Sequence, residues 1–237
     1  MKRRGGFTLI EALIGLALSL FVIAAAVAFF SLAQRTFFRL KAREEAGQAA
    51  AAALDRMRID LLHAGRGLAA ETAAGLVEAV RADGSELRTT TLERGLALAA
   101  EAVPGATSLS LASTADIAAG RRIVLRDGAS GEVRTVSAVE PGAVRLDGPL
   151  AGRYAPATAA VSLVENIAYF LDGAARVLRR RANSASAQPV LEDVRTAAWT
   201  YDTDLRLARV RLEVDVEGAH PYETTVLVKN AVLAQLR

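Results

Sequence analysis

The chain opens with MKRRGGFTLIEALIGLALSLFVIAAAVAFFSLAQR, residues 1–35, and this stretch decides how the rest must fold. Three basic residues precede a pair of glycines. The apolar run that follows contains one acid, Glu11, and then no charge until Arg35. About 20 apolar residues suffice to cross a bilayer, so residues 12–34 predict a transmembrane helix. A charged side chain in such a segment is costly and is usually functional, so Glu11 is the first candidate functional residue.

The segment GFTLIE at residues 6–11, behind its basic start, resembles the class III signal of type IV prepilins and type II secretion pseudopilins. The resemblance implies that a prepilin peptidase cuts after Gly6 and that the new N-terminus, Phe7, is then N-methylated. It also implies that Glu11, at the fifth mature position, acts in assembly. The residues that the peptidase would recognise are Lys2, Arg3, Arg4, Gly5, Gly6 and Phe7.

Glu11 has two interpretations within this resemblance. In a bundle of such helices, Glu11 of one subunit is expected to pair with the Phe7 amine of a neighbour, because a charge buried in an apolar bundle is tolerable only when it is paired. That pairing would set the axial register of an incoming subunit. The alternative is an acid that snorkels to the lipid headgroups.

An ordinary secretory signal peptide is a competing interpretation of the same stretch, since it also has a basic start, an apolar region and a small-residue exit. The segment Ala26-Val27-Ala28 would serve as that exit. The apolar run, however, continues to Ala33, and Glu11 would have no role in a signal peptide. Under this alternative the mature protein is an exported or membrane-anchored β-rich binding module.

The charge balance argues against a nucleic-acid partner. The formal charge of the chain is +3, and three of its basic residues lie in the basic start, so the remainder is balanced (+3 − 3 = 0). A nucleic-acid binder needs a basic surface, and the one local candidate is the run Arg179–Arg181, which we interpret as a solvated strand end or loop. The chain has no cysteine, which excludes disulfides and departs from the many pilins that close a C-terminal loop with one.

The helix is predicted to continue past the membrane, with residues 7–34 as its transmembrane or filament-core half and residues 35–64 as its soluble half. No proline occurs before Pro104, and Gly65 is a plausible C-cap. Such a helix would be roughly 87 Å long. Its predicted apolar stripe consists of Phe37, Leu40, Ala50, Leu54, Met57, Leu61 and Leu62.

Residues 65–237 are predicted to form a β-rich globular domain. Alternation in Arg209–Val216 and a return over Tyr222–Val228 predict a C-terminal hairpin that covers the helix stripe. A small inserted β-module is predicted at about 107–163, with strand candidates Arg121–Arg126, Glu132–Val139 and Ala143–Leu146. The fold class is therefore α+β: a pilin-like long helix on a C-terminal antiparallel sheet, with an additional β-rich module.

The later part of the chain resembles W-class minor pilins and J-class pseudopilins. The resemblance rests on residues 164–172, 178–180 and 191–201, which match strands that recur in those proteins, and on residues 60–65, which match the end of their helix. It implies a minor subunit of a filament. A major pilin is the alternative within the same class.

Few residues suggest other chemistry. No nucleophile elbow, phosphate loop, dinucleotide fingerprint or zinc spacing occurs, so we expect neither an enzyme nor a cofactor. His63 is interpreted as a capping or surface residue. Some pseudopilins bind calcium in a C-terminal loop, which makes Asp202 and Asp204 weak metal candidates, but two carboxylates fall short of the six to eight oxygens that calcium prefers, and a turn is favoured.

The sequence as a whole predicts a filament subunit that begins as an inner-membrane protein. Residues 1–6 form the leader, the N-terminus is cytoplasmic, the helix crosses the bilayer once and the C-terminal domain is periplasmic. The expected partners are other pilins or pseudopilins, the prepilin peptidase, the inner-membrane assembly platform and the lipid around residues 7–34. No nucleic acid and no small-molecule substrate are expected.

Overall fold

The computed structural model describes residues 9–128 and 130–233, so the leader residues and Phe7 lie outside the described part of the chain. The fold is a long N-terminal helix followed by antiparallel sheets, which confirms the predicted α+β class. The elements are α1 (Leu9–His63), α2 (Ala69–Ala73), β1 (Val80–Ala82), β2 (Glu86–Leu96), β3 (Ser108–Ser110), β4 (Arg122–Asp127), β5 (Ser130–Glu140), β6 (Ala143–Leu146), β7 (Ala160–Asp172), β8 (Val177–Ala182), β9 (Gln188–Leu191), β10 (Val194–Asp202), β11 (Leu207–Val214), β12 (Tyr222–Leu227) and α3 (Lys229–Leu233).

Helix α1 ends where the sequence predicts. The last helical residue is His63, and Gly65 follows with a φ of 75°, the left-handed conformation that glycine adopts most readily. The Gly65 N–H donates to the Thr90 carbonyl at 2.7 Å, so the chain passes from the helix directly onto the sheet. The side-chain amide of Asn230 donates to the carbonyls of Leu62 and Ala64 at 3.1 and 3.2 Å, which satisfies acceptors that a helix end leaves open.

The apolar stripe of α1 is shorter than predicted. Ala50, Leu54, Met57 and Leu61 are buried, and Leu62 is partly buried against the same core, as the spacing indicated. Phe37 and Leu40 were predicted to share this face, but they are 63% and 59% exposed. The prediction was wrong for these two because burial of the helix against the globular part begins only at about Arg43.

The C-terminal hairpin is confirmed. Strands β10, β11 and β12 form a three-stranded antiparallel sheet in that order, and alternate residues of β11 (Ala208, Val210 and Leu212) are fully buried against α1. This sheet is tied to the rest of the domain by Trp199 on β10. Its indole N–H donates to the Asp83 carbonyl in the β1–β2 turn at 2.7 Å.

The larger sheet has nine strands and is organised around the long strand β7. β2 pairs along one edge of β7, while β4 and β8 follow one another along the other edge. The three strands predicted between 107 and 163 form β4, β5 and β6, and the β4–β7 pairing joins them to the large sheet. They contribute to a second hydrophobic core, which also includes residues of β3, β7 and the connecting segments. The boundary of an inserted module stays a prediction.

The arginine run at 179–181 does not form a solvated strand end or loop. All three residues lie within β8, and each has an acidic partner: Arg179 with Asp172, Arg180 with Asp60, and Arg181 with Glu86. The interpretation was wrong because antiparallel pairing brings acids from distant segments to this strand, which local sequence does not reveal.

Two glycines with the same backbone conformation give a test of the packing between the turn after α1 and strand β2. Gly67 has a φ of 76°, and a Cβ placed there would lie 2.7 Å from Leu92 Cδ2, whereas Gly142 has a φ of 73° and open space around it. Gly142→Ala should therefore lower the free energy of unfolding by about 1–2 kcal/mol, the cost of a left-handed backbone conformation for a residue with a Cβ. Gly67→Ala adds steric overlap of about 1–3 kcal/mol. Urea unfolding in detergent, followed by fluorescence of the single tryptophan, measures both; equal losses would contradict the packing at Gly67.

Candidate functional site

The N-terminal half of α1 is a rod of apolar side chains that extends away from the globular part. Every residue from Leu9 to Ala42 is exposed, a length of about 50 Å at 1.5 Å per residue. The exposed side chains include large ones: Phe29 is 68% and Phe30 is 70% exposed. Soluble proteins do not leave a continuous apolar surface of this size in water, so this surface requires a lipid or protein environment.

The charge-free part of this rod matches a bilayer. Residues 12–34 span about 35 Å, against a hydrocarbon core of about 30 Å. In the described part of the chain, α1 is the helix that is long and apolar enough to cross a membrane. Two hydroxyl groups on the rod form hydrogen bonds within the helix. The Ser19 hydroxyl donates to the Gly15 carbonyl at 2.8 Å, and the Thr36 hydroxyl donates to the Leu32 carbonyl at 3.0 Å. Such bonds remove the cost of bringing hydroxyls into lipid.

Glu11 lies in the first turn of α1. A carboxylate is favoured there, because the N-terminal end of a helix carries a partial positive charge. Glu11 is exposed and is separated from the next charged residue, Arg35, by the whole apolar segment. The helix therefore presents one acid at its tip and a continuous apolar surface behind it. Lys2, Arg3, Arg4, Gly5, Gly6 and Phe7, which were assigned to peptidase recognition and methylation, lie outside the described residues.

The rod enters the globular part at a close contact with β12. A Cβ at Gly47 would lie 3.2 Å from the Tyr222 hydroxyl oxygen, so the helix and the sheet are closely packed at this point. About two turns earlier, an exposed ion pair joins Arg39 to Glu217 at 3.7 Å. An exposed pair of this kind contributes little to stability. Rigidity at this junction therefore comes from packing beyond Gly47.

A buried polar cluster fixes the C-terminal half of α1 to the large sheet. We call Asp60, Tyr169 and Arg180 the Asp60 cluster. The Tyr169 hydroxyl donates to Asp60 Oδ2 at 2.6 Å, and Arg180 Nε donates to the same oxygen at 2.8 Å. The Asp60 side chain is 8% exposed and that of Arg180 is 19% exposed. The cluster thus joins the helix to β7 and β8 by charge-assisted hydrogen bonds inside the main core.

The pKa values in the Asp60 cluster follow from burial and from Asp60. Burial, together with the hydrogen bond to Asp60, raises the pKa of the Tyr169 phenol well above its usual value, so Tyr169 remains a donor. Burial tends to lower the pKa of Arg180, but its hydrogen bond to Asp60 and the charge of that carboxylate outweigh burial and raise it. This arrangement holds the helix in place against β7 and β8.

The two weak metal candidates close a turn. The Asp202 carboxylate accepts the backbone N–H groups of Asp204 and Leu205, both at 2.9 Å, at the turn between β10 and β11. Within residues 9–128 and 130–233, no group of three or more acidic or histidine side chains is arranged to hold a metal. His63, the other residue considered for metal or acid–base work, is exposed at the end of α1.

Local sequence patterns do not indicate that the residues of the Asp60 cluster lie together. Asp60 is separated from Tyr169 by 109 positions and from Arg180 by 120. One local signal was present: Asp60 lies next to Leu61 on the predicted buried stripe, and a charged residue on such a face requires a partner. The identity of that partner depends on sheet register, which the sequence did not specify.

Comparison with solved structures finds only remote likenesses. The Gp54 tailspike of Acinetobacter baumannii bacteriophage AP22 is 20% identical over 32% of this chain, with a TM-score of 0.29. The tailspike gp61 of Pseudomonas phage phi297 is 21% identical over 31% of this chain, with a TM-score of 0.28. This chain spans 15% and 14% of those two tailspikes, and similarity at this level carries no argument about fold or function. No curated protein matches the chain.

A family model described as the prokaryotic N-terminal methylation motif matches residues 1–27. The match covers the basic start, the glycine pair, Glu11 and most of the apolar segment. In general, a motif of this type implies processing by a prepilin peptidase and assembly with other pilins. Together with the exposed apolar rod it indicates an envelope-associated, membrane-anchored protein. The chain therefore carries the class III signal of type IV prepilins, and this motif supports a type IV pilin-like protein.

Proposed function

We propose that this chain is a minor pilin or pseudopilin subunit that is cleaved after Gly6, methylated at Phe7 and built into a type IV pilus or a type II secretion pseudopilus. The observation that carries the proposal is the continuity of the methylation motif at residues 1–27 with a fully exposed apolar helix. A basic start with an apolar run also occurs in secretory signal peptides, and an exposed apolar helix also occurs in simple membrane anchors. Together the two features describe a helix that is stored in lipid and later transferred into a bundle of similar helices.

The apolar rod suits both environments. In the bilayer its side chains contact lipid, and in a filament the same side chains would contact neighbouring helices, so transfer exchanges one apolar environment for another. Helices associate in an apolar medium through close packing and polar contacts. Gly15 and the alanines at 24–26 supply small side chains for close approach. The remaining requirement is a contact that selects one axial position.

Glu11 supplies that contact in this proposal. Once the leader is removed, the Phe7 amine of one subunit and the Glu11 carboxylate of its neighbour would form an ion pair within the bundle. The pair is strongly favoured over a single buried charge, so subunits would stop at the position where the charges meet. Glu11 is then an assembly residue. The chain is a substrate of the peptidase and is not itself an enzyme.

The proposed location follows from the same features. The subunit begins as a single-pass protein of the bacterial inner membrane, with its N-terminus in the cytoplasm and its β-rich domain in the periplasm, and then enters the filament. Its partners would be other pilins, the prepilin peptidase and the assembly platform. A minor position suits the likeness to W-class minor pilins and J-class pseudopilins and the absence of cysteine; a major pilin is the alternative.

The N-terminus of the mature protein tests the proposal. Mass spectrometry of the protein from cell membranes should find a chain that begins with N-methylated Phe7. Gly6→Leu should block processing and leave the leader attached, whereas Ala28→Leu should not change it. An ordinary signal peptide predicts the reverse: a chain that begins near Phe29, with processing lost in Ala28→Leu. That result would leave an exported β-rich binding module as the better description.

A further inference from the structure

The face of the large sheet that lies opposite α1 carries a cleft that the proposed function does not use. On this face Ala168 of β7 pairs with Arg88 of β2 on one side and with Arg181 of β8 on the other. Adjacent strands are about 4.8 Å apart, so the Cα atoms of Arg88 and Arg181 are about 10 Å apart. The side chain between them is the methyl group of Ala168. The small side chain of Ala168 therefore forms the floor of a cleft between two guanidinium groups.

A third arginine reaches the same cleft from β4. Arg122 starts the strand that continues the line of β8 along β7, and its Nη1 donates to Asn166 Oδ1 at 3.2 Å. Asn166 lies two residues before Ala168, and its Oδ1 also accepts the Thr90 hydroxyl at 3.1 Å. The cleft between these groups has a volume of about 140 Å³. We call it the arginine cleft, and define it by Arg88, Arg122, Asn166, Ala168 and Arg181.

The charges in the arginine cleft do not balance. Glu86 is the one carboxylate in its lining; it accepts Arg88 at 2.7 and 2.9 Å and lies 3.6 Å from Arg181. Across the described residues, no carboxylate forms an ion pair with Arg122. Three arginines and one glutamate give a net charge of +2 (3 − 1). Burial lowers the pKa of Arg122. The positive charge of Arg88 lowers that pKa further, because the two like charges lie close together.

The arginine cleft adjoins a second, larger cleft. That neighbour has a volume of about 400 Å³, shares Arg88 and Arg122, and adds Arg81 and Glu78. The shared arginines thus face both spaces. A ligand group bound between them would have room for a larger attached part on the side of the second cleft.

We propose that the arginine cleft binds a phosphate-type dianion from solution. A net charge of +2 matches a dianion better than a single carboxylate, and guanidinium groups bind oxyanions through paired, directional hydrogen bonds. A lipid headgroup is a poor source. The sheet joins α1 near Asp60, which is about 39 Å along the helix from Gln34, the end of the charge-free segment. The phosphate group therefore belongs to a free ion or to a soluble ligand.

Calorimetry with inorganic phosphate on the full chain in detergent micelles tests this proposal, with chloride at matched ionic strength as the reference. We expect saturable phosphate binding, weaker binding of acetate, and a rise in the thermal midpoint with phosphate concentration. Arg122→Gln should weaken phosphate binding about tenfold or more, since it removes a charged donor. Ala168→Leu should abolish binding by filling the floor of the cleft. The absence of saturable binding to the unaltered protein would overturn the proposal.

A matched control separates the site from general charge. Arg209→Gln removes the same charge from an exposed position on β11 and should leave phosphate binding unchanged. Equal weakening in Arg122→Gln and Arg209→Gln would overturn a specific site. Phosphatidic acid added to the micelles forms a second arm, in which it should not displace inorganic phosphate from the unaltered protein. Displacement of phosphate by phosphatidic acid, or binding of phosphatidic acid that is lost in Arg122→Gln without any binding of free phosphate, would assign the site to lipid and overturn a solution ligand.

Discussion

Replacement of Glu11 by alanine is expected to remove the subunit from filaments while leaving it in the membrane. The apolar segment at residues 12–34 is unchanged in this variant, so insertion should be normal or slightly stronger. Assembly should fail because the Phe7 amine of the neighbour would enter the bundle without a counter-charge. Breaking a buried ion pair in this way costs about 3–5 kcal/mol. An effect of that size corresponds to a loss of incorporation of about 100-fold or more.

This loss is measured as the amount of the subunit in sheared filaments relative to the amount in the membrane fraction. Both amounts are determined by quantitative immunoblot in cells that lack the unaltered copy. Glu44→Ala is the matched control, because Glu44 is an exposed acid of the same helix beyond the membrane segment, and its incorporation should be unchanged. N-terminal processing of both variants should be verified, since an unprocessed chain would fail for a different reason. Normal incorporation of processed Glu11→Ala protein would refute the pairing and favour an acid that snorkels to the headgroups.

The parts of the fold that sequence predicted are those with local signals. Gly65 marks the end of α1, and Gly142 and Asp147 flank strand β6. The alternation along 209–216 predicted β11, although the strand itself spans Leu207–Val214. Periodicity over a few residues is enough for such elements, because it reports which side of the element faces the core.

The parts that sequence missed depend on contacts between distant segments. Phe37 and Leu40 continue the helical spacing of the buried stripe, yet nothing in their spacing indicates where the globular part ends. Arg180 and Arg181 look alike in sequence, but one faces α1 and the other faces the arginine cleft, because successive residues of a strand point to opposite sides. Strand register therefore decided their roles, and register was not predicted. The N-terminal signal was recognised because its information is contiguous.

The second large effect is expected at the Asp60 cluster. Asp60→Ala should destabilise the protein by about 3–5 kcal/mol, because it leaves Arg180 largely buried without its counter-charge and leaves the Tyr169 hydroxyl without its acceptor. Tyr169→Phe removes one hydrogen bond and retains the ion pair, so its cost should be about 1–2 kcal/mol. Asp55→Ala, at an exposed position of the same helix, should change stability by less than about 0.5 kcal/mol.

A second substitution distinguishes an unpaired charge from a simple cavity. Arg180→Met in the Asp60→Ala background removes the stranded guanidinium while keeping an apolar side chain of similar length, so the double variant should be more stable than Asp60→Ala alone. A cavity at Asp60 would persist in both, and the double variant would then be no more stable. Urea unfolding in detergent gives these free energies through Trp199, which packs in the same core. Recovery in the double variant would mean that the stability lost in Asp60→Ala comes from the stranded Arg180 guanidinium rather than from the side-chain volume lost at Asp60.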